Sequence, residues 1–123
     1  MIFKDITDIN FNGIDISSHH EFNHEKVYYY EDQETQLKSL IAIHSTIEGP
    51  AIGGCRYRQY DSFEEGLNDV LRLSKGMTDK NNVGGIPFGG GKAVIFQQEV
   101  KSKNLLKSIA SFLNRLNGAN IAK

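Results

Sequence analysis

The sequence predicts an α/β layered fold, because short β-prone runs alternate with segments of helical period and a capping signature opens the best of those segments. Its 123 residues, 39% of them hydrophobic, suffice for one domain with a buried core. The whole chain, 1–123, therefore reads as a single unit, with no repeat, low-complexity tract or linker to divide it.

The first two dozen residues have no clean period, and Ile6, Ile9, Ile14 and Ile16 fit a short helix, a strand or simple lining of the core. From Lys26 the signal sharpens. Val27-Tyr28-Tyr29-Tyr30 and the run from Leu37 to His44 are β-prone and flank the polar turn of residues 31–35, which predicts an antiparallel hairpin. Gly49-Pro50 then breaks the chain, and Ala51 to Tyr57 reads as a strand in which Gly53 and Gly54 leave backbone uncovered.

Ser62 and Glu65 form a capping box, so a helix starts there, with Phe63, Leu67, Val70, Leu71, Ser74 and Met77 spaced by threes and fours along a buried face. The polar and glycine-rich stretch from Thr78 to Lys92 is expected to end that helix and form a loop beside the core. Ala93-Val94-Ile95-Phe96 is a short apolar strand. Ser102 then caps a second amphipathic helix through Leu105, Leu106, Ile109, Phe112, Leu113 and Leu116, stopped near Gly118.

A net charge of -1 gives no electrostatic reason for nucleic acid or an anionic membrane as a partner. The longest apolar stretches are far too short to span a bilayer, and the acidic start of the chain is unlike a signal peptide, so a cytoplasmic protein is expected. Cys55 is the single cysteine and fits a reducing compartment; inert burial is its expected state. His19, His20 and His24 lack the cysteine or carboxylate pattern of a metal site and read as surface histidines, so no metal is expected. His44 reads as a packed or edge residue.

Five of the 12 glycines fall between Gly84 and Lys92, which first suggests a phosphate loop. That reading fails, because Ile86 stands where such a loop needs its first glycine and Ala93 stands where it needs Ser or Thr. A dinucleotide G-x-G-x-x-G is missing too, since Val94 occupies its last position. What remains is a pair of lysines, Lys80 and Lys92, on either side of the glycine-rich loop Gly89, Gly90 and Gly91. A lysine that loses hydration against an apolar strand, with a second cation nearby, becomes available as a base, and the other lysine suits a carboxylate. For an arbitrary loop lysine, solvation is the commoner state.

Three ordered motifs carry a resemblance: Gly49-Pro50-Ala51-Ile52-Gly53-Gly54-Cys55-Arg56, the run from Leu71 to Asn81, and Gly89-Gly90-Gly91-Lys92-Ala93-Val94-Ile95. Together they resemble the amino-terminal, substrate-binding and dimerisation domain of the glutamate/leucine/phenylalanine/valine dehydrogenase family, nearest the leucine and phenylalanine types. The resemblance implies a three-layer domain with a mixed, largely parallel sheet flanked by helices. It implies oxidative deamination of an apolar or aromatic L-amino acid to a 2-oxo acid and ammonia, with NAD or NADP bound by a separate domain absent from this chain.

Carried over by position, Lys92 matches the catalytic lysine that activates water, and Lys80 the lysine that binds the substrate carboxylate. Gly53, Gly54 and Met77 match residues lining the side-chain pocket, and a structural role suits Met77 equally well. Ile52 stands where glutamate-using members carry a lysine, so glutamate is expected to be a poor ligand. Asp79 and Ile86-Pro87-Phe88 depart from the family's commoner residues. The family's catalytic aspartate would fall beyond Gly118 and finds no match before Lys123, so no turnover is expected from this chain alone. The resemblance also places self-association here, with Tyr28-Tyr29-Tyr30 offering an edge strand for a homo-oligomer. A non-catalytic oligomerisation or small-molecule-binding module of the same fold is the alternative.

Overall fold

The computed structural model describes residues 2–19, 21, 23–34 and 36–97. Along the chain run β1 (Ile2–Asp5), β2 (Asn10–Phe11), β3 (Ile14–Asp15), a 3-10 turn (Ile16–His19), β4 (Lys26–Asp32), β5 (Leu37–Ser45), β6 (Ala51–Ile52), β7 (Cys55–Arg58), α1 (Phe63–Val83) and β8 (Gly89–Phe96). The second predicted helix, from Ser102 to Gly118, lies outside the described residues. No described helix is long and apolar enough to cross a membrane.

The opening segment resolves into strands rather than a helix. β2 and β3 close a small hairpin through Asn12 and Gly13, both at positive φ (53° and 79°), the geometry a two-residue hairpin turn requires. Ile6 and Ile16 flank it and are fully buried, so only part of the isoleucine series serves the core.

The main sheet runs β1-β4-β5-β8-β6, with β7 also on β8. The β4–β5 hairpin forms as predicted, pairing Tyr28 with Ile41 and Tyr30 with Ser39. The sheet is mixed, and its parallel share is smaller than expected. β1–β4, β4–β5 and β5–β8 are antiparallel, and only β6 and β7 run parallel to β8. The connections explain this: the β4–β5 turn is short, while reaching β8 in parallel from β7 takes the crossover helix α1. β6 and β7 keep one continuous register on β8, so the predicted strand from Ala51 to Tyr57 exists but breaks at Gly53 and Gly54.

Pairing of β1 with β4 removes Tyr28-Tyr29-Tyr30 from the sheet edge, contrary to expectation. The outer edge among the described residues is β1 itself, with Ile2 and Phe3 each 37% exposed. Period-two alternation on β4 sends Tyr29 to one face and Tyr30 to the other. Tyr29 joins Val27, Leu40, Ala42 and Val94 beneath Leu67, Val70 and Leu71 of α1. Tyr30 joins Leu37, Ile41, Ala93 and Ile95 on the opposite face.

Helix α1 starts at the predicted cap, where Ser62 Oγ accepts from the Glu65 amide at 3.1 Å. The glutamate reaches back one residue further than a standard box, accepting from the Asp61 amide at 3.2 Å. The helix continues past Met77 to Val83, because Thr78 and Asn81, not Met77, complete the buried face after Ser74. Polar side chains with partners on the sheet keep the stripe going where apolar spacing had stopped.

Candidate functional site

The glycines thought to form a loop are strand residues. Gly89, Gly90 and Gly91 open β8 and are buried, and the connection from α1 is only residues 84–88. Their missing side chains serve packing. A Cβ on Gly89 would fall 1.7 Å from the Ser45 carbonyl oxygen, and one on Gly90 would fall 2.2 Å from Thr78 Oγ1. Glycine here lets β5 on one side and α1 above come down onto the backbone of β8.

Lys92 follows on β8 and is half-buried. Alternation puts it on the face of Gly90 and Val94, the face that α1 covers. Its Nζ lies 3.4 Å from where a Cβ would sit on Gly54, across the break between β6 and β7. Gly54 thus leaves open the space beside the lysine amine. Gly53 differs: its Cβ would fall 1.6 Å from the Gly91 carbonyl oxygen, so it is a close-approach glycine between strands rather than a pocket wall. Ile52, half-buried, is paired in register with Gly90.

Met77 and Lys80 come from α1. Asp69, Leu73, Met77 and Lys80, spaced by four, four and three, share one flank of the helix. Asp69 identifies that flank as the β7 side, because it accepts from Arg56 Nη1 at 3.2 Å and from the Tyr60 hydroxyl at 2.6 Å. Leu73 and Met77 are half-buried along it, and Lys80 is exposed in the last helical turn, where a cation complements the helix dipole. The flank therefore overlooks the strands that bring Ile52, Gly54 and Lys92 together. Asp79 points elsewhere, to an ion pair with Lys75.

The opposite flank of α1 is closed by His24 and by His44, which packs there as expected. His24, expected at the surface, is buried (5% exposed), its Nε2 lying 2.9 Å from the Leu71 carbonyl oxygen and 2.7 Å from Ser74 Oγ. His44 Nδ1 is 2.7 Å from Thr78 Oγ1, and the two imidazoles meet edge to face at 4.9 Å. His19 is half-buried beside Asp15 and Ser18, and His20 lies outside the described residues. Among the described residues no three His, Cys, Asp or Glu side chains converge as metal ligands would.

Cys55 is exposed, not buried. Crowding around its sulfur pushes the thiol up to about 11, against the opposing pull of the Lys92 charge.

Two further features bear on ligand binding. The α1 N-terminus carries Glu64 and Glu65 in its first turn, which repel a pyrophosphate, so the described residues do not fit a dinucleotide there. A cavity of about 610 Å³ lies over the same face of the sheet, lined by Lys4, Phe11, Tyr29, Tyr60, Phe63 and Phe96 among others. It includes none of the candidate residues, and its Tyr29 hydroxyl is pushed up by burial and by donation to Glu31 at 2.7 Å.

Comparison with known proteins follows the same residues. The family described as Glu/Leu/Phe/Val dehydrogenase, dimerisation domain, matches residues 20–123. A phenylalanine dehydrogenase of Caldalkalibacillus thermarum is 52% identical over 97 residues, covering 77% of this chain and 26% of that protein. A leucine dehydrogenase of Geobacillus stearothermophilus is 46% identical over 99 residues, 79% of this chain and 27% of the relative. The chain thus spans about a quarter of these relatives. The crystal structure of L-tryptophan dehydrogenase from Nostoc punctiforme superposes with a TM-score of 0.76 at 42% identity, over 85% of this chain and 32% of that one.

Proposed function

This chain belongs to the Glu/Leu/Phe/Val dehydrogenase family, as its dimerisation domain, and we propose that it is the substrate-binding half of an NAD(P)-dependent dehydrogenase of an apolar or aromatic L-amino acid. One observation carries the reading: a half-buried lysine, Lys92, faces a side-chain-free position, Gly54, below the helix flank that bears Lys80. A small ligand can reach the amine there without meeting a Cβ. The names of the relatives, phenylalanine, leucine and tryptophan dehydrogenases, support an apolar or aromatic side chain.

In this reading Lys80 grips the α-carboxylate, held by charge at the helix end. Ile52 and Met77 receive the side chain, whose apolar surface is stabilised by roughly 25 cal/mol per Å² removed from water. Lys92 takes the proton from the water that adds to the imine carbon, and returns it as ammonia leaves. A nicotinamide cofactor, when bound, would supply the acceptor for the hydride of the α-carbon. Self-association proceeds through β1, the outer edge among the described residues, since β4 is already paired on both sides.

The test is amino-acid-dependent reduction of NAD or NADP by the protein expressed from its complete gene. Lys92→Ala should lower kcat by about 10²-fold or more with a modest change in KM, and Lys80→Ala should chiefly raise KM. Equal effects of the two would refute this division of roles, and no turnover with any amino acid would favour the non-catalytic module.

A further inference from the structure

We propose that Asn81 is a positioning residue for the two lysines, an inference that rests on the reading of Lys80 and Lys92 above. Asn81 is next to Lys80 on α1 yet only 3% exposed, turned under the helix as Lys80 turns outward. Its Nδ2 donates to the Gly89 carbonyl oxygen at 2.9 Å. Gly89 stands three residues before Lys92 on β8. One side-chain bond therefore joins the turn that carries the carboxylate-binding cation to the strand that carries the base.

The surroundings make this bond a spacer rather than one contact among many. The Asn81 carbonyl also accepts from the Ile86 amide at 2.9 Å, so the same residue holds the short connection between α1 and β8 at both ends. Gly89 cannot shift to compensate. Its amide donates to the Pro50 carbonyl at 3.1 Å, and the Ser45 carbonyl fills the space its Cβ would occupy. With β8 fixed, the freedom that remains belongs to the helix end, and Asn81 removes it.

A substrate clamped by its carboxylate at Lys80 offers its α-carbon to Lys92 only if the two amines keep their spacing. A misplacement of about 1 Å in such a pair costs on the order of 10²-fold in rate. Loss of the Asn81 bond leaves Lys80 exposed at the helix end, so binding survives while alignment does not.

The experiment is steady-state kinetics of the protein expressed from its complete gene, unsubstituted and as Asn81→Ala, Asn81→Ser, Asn81→Val and Val70→Ala, with melting temperatures for all five. The serine keeps a donor at that position. Val70 is a fully buried residue of α1 whose side chain makes no hydrogen bond, and it controls for loss of stability alone. Expected are a fall in kcat of about 10²-fold with KM changed by less than about fivefold for Asn81→Ala, partial recovery for Asn81→Ser, and unchanged kcat for Val70→Ala below its melting temperature. Unchanged kcat in Asn81→Ala, or an equal fall in Val70→Ala, would overturn the proposal while leaving the lysine roles intact. If Asn81→Ala does not fold, failure of Asn81→Ser to exceed the activity of Asn81→Val overturns it. An unsubstituted protein without turnover removes the reading beneath it, and the proposal with it.

Discussion

Replacing Gly90 by alanine drives a methyl group into the underside of helix α1. The new Cβ would lie 2.2 Å from Thr78 Oγ1, 2.3 Å from the Thr78 amide nitrogen and 2.4 Å from the Ser74 carbonyl oxygen. Two of these three atoms are backbone four residues apart, the donor and acceptor positions of one helical turn, so they cannot yield separately. The helix must lift by about 1 Å to restore van der Waals spacing, loosening Leu67, Val70 and Leu71 from Val94. Overpacking of this kind costs about 1–3 kcal/mol, and at roughly 4 °C per kcal/mol for a domain of this size the melting temperature should fall by about 4–12 °C. Gly76→Ala on the same helix is the control. Gly76 is exposed with nothing within 4 Å of its Cβ direction, so alanine there should gain up to about 1 kcal/mol of helix propensity. Thermal unfolding followed by circular dichroism separates the two. A Gly90→Ala protein melting within about 1 °C of the unsubstituted one would refute the packing argument.

Three other outcomes are expected. Burial works to raise the Asp69 carboxyl, but donation from Tyr60 and Arg72 and the charge of Arg56 win and hold it below the ordinary carboxylate value. Its stabilisation is thus complete above about pH 4 and lost as pH falls through the lower folded value, and Asp69→Asn should flatten the fall of the urea midpoint in acid; an unchanged slope would count against it. Glutamate should be a poor substrate, because Ile52 offers its side-chain carboxylate no cation, and Ile52→Lys should improve the glutamate-to-leucine ratio of kcat/KM by about tenfold or more; a ratio that stays put sinks the role given to Ile52. If β1 is the self-association edge, Phe3→Lys should lower the assembly mass measured by light scattering, and a 13.8 kDa species already present in the unsubstituted protein at high concentration would argue against assembly.

Features written in local pattern were legible in the sequence. The Ser62 cap, the stripe from Leu67 to Ser74 and the β4–β5 hairpin follow from spacing and turn chemistry that involve no distant partner. Long-range contacts decided the rest. β1 has four exposed residues and no alternation to betray it, and it exists because β4 offers a free ladder. Gly89 to Gly91 look like a chain breaker because intrinsic preference counts against glycine in a strand, whereas Ser45, Ser74 and Thr78 need that very backbone uncovered. His24 reads as polar surface until Leu71 and Ser74, nearly fifty residues away, supply its partners. At the site, Lys80, Lys92 and Gly54 were given roles by motif, while Thr78 and Asn81 lay inside a motif without a role, since a buried polar residue shows itself only through the group it bonds.

Strand β8 is paired on both sides, with β5 along one edge and β6 and β7 along the other, and it is roofed by α1. Exposing its amides to solvent means parting two ladders and a helix together, so hydrogen exchange at Lys92 and its neighbours should proceed only through opening of the whole domain. Lys80 sits in the final turn of a helix, where opening involves few groups. The two amines therefore live on different clocks. The amine on the strand keeps its place for as long as the domain stays folded, whereas the one on the helix is released only when the Asn81 bond to Gly89 opens, an event that leaves the strand in place.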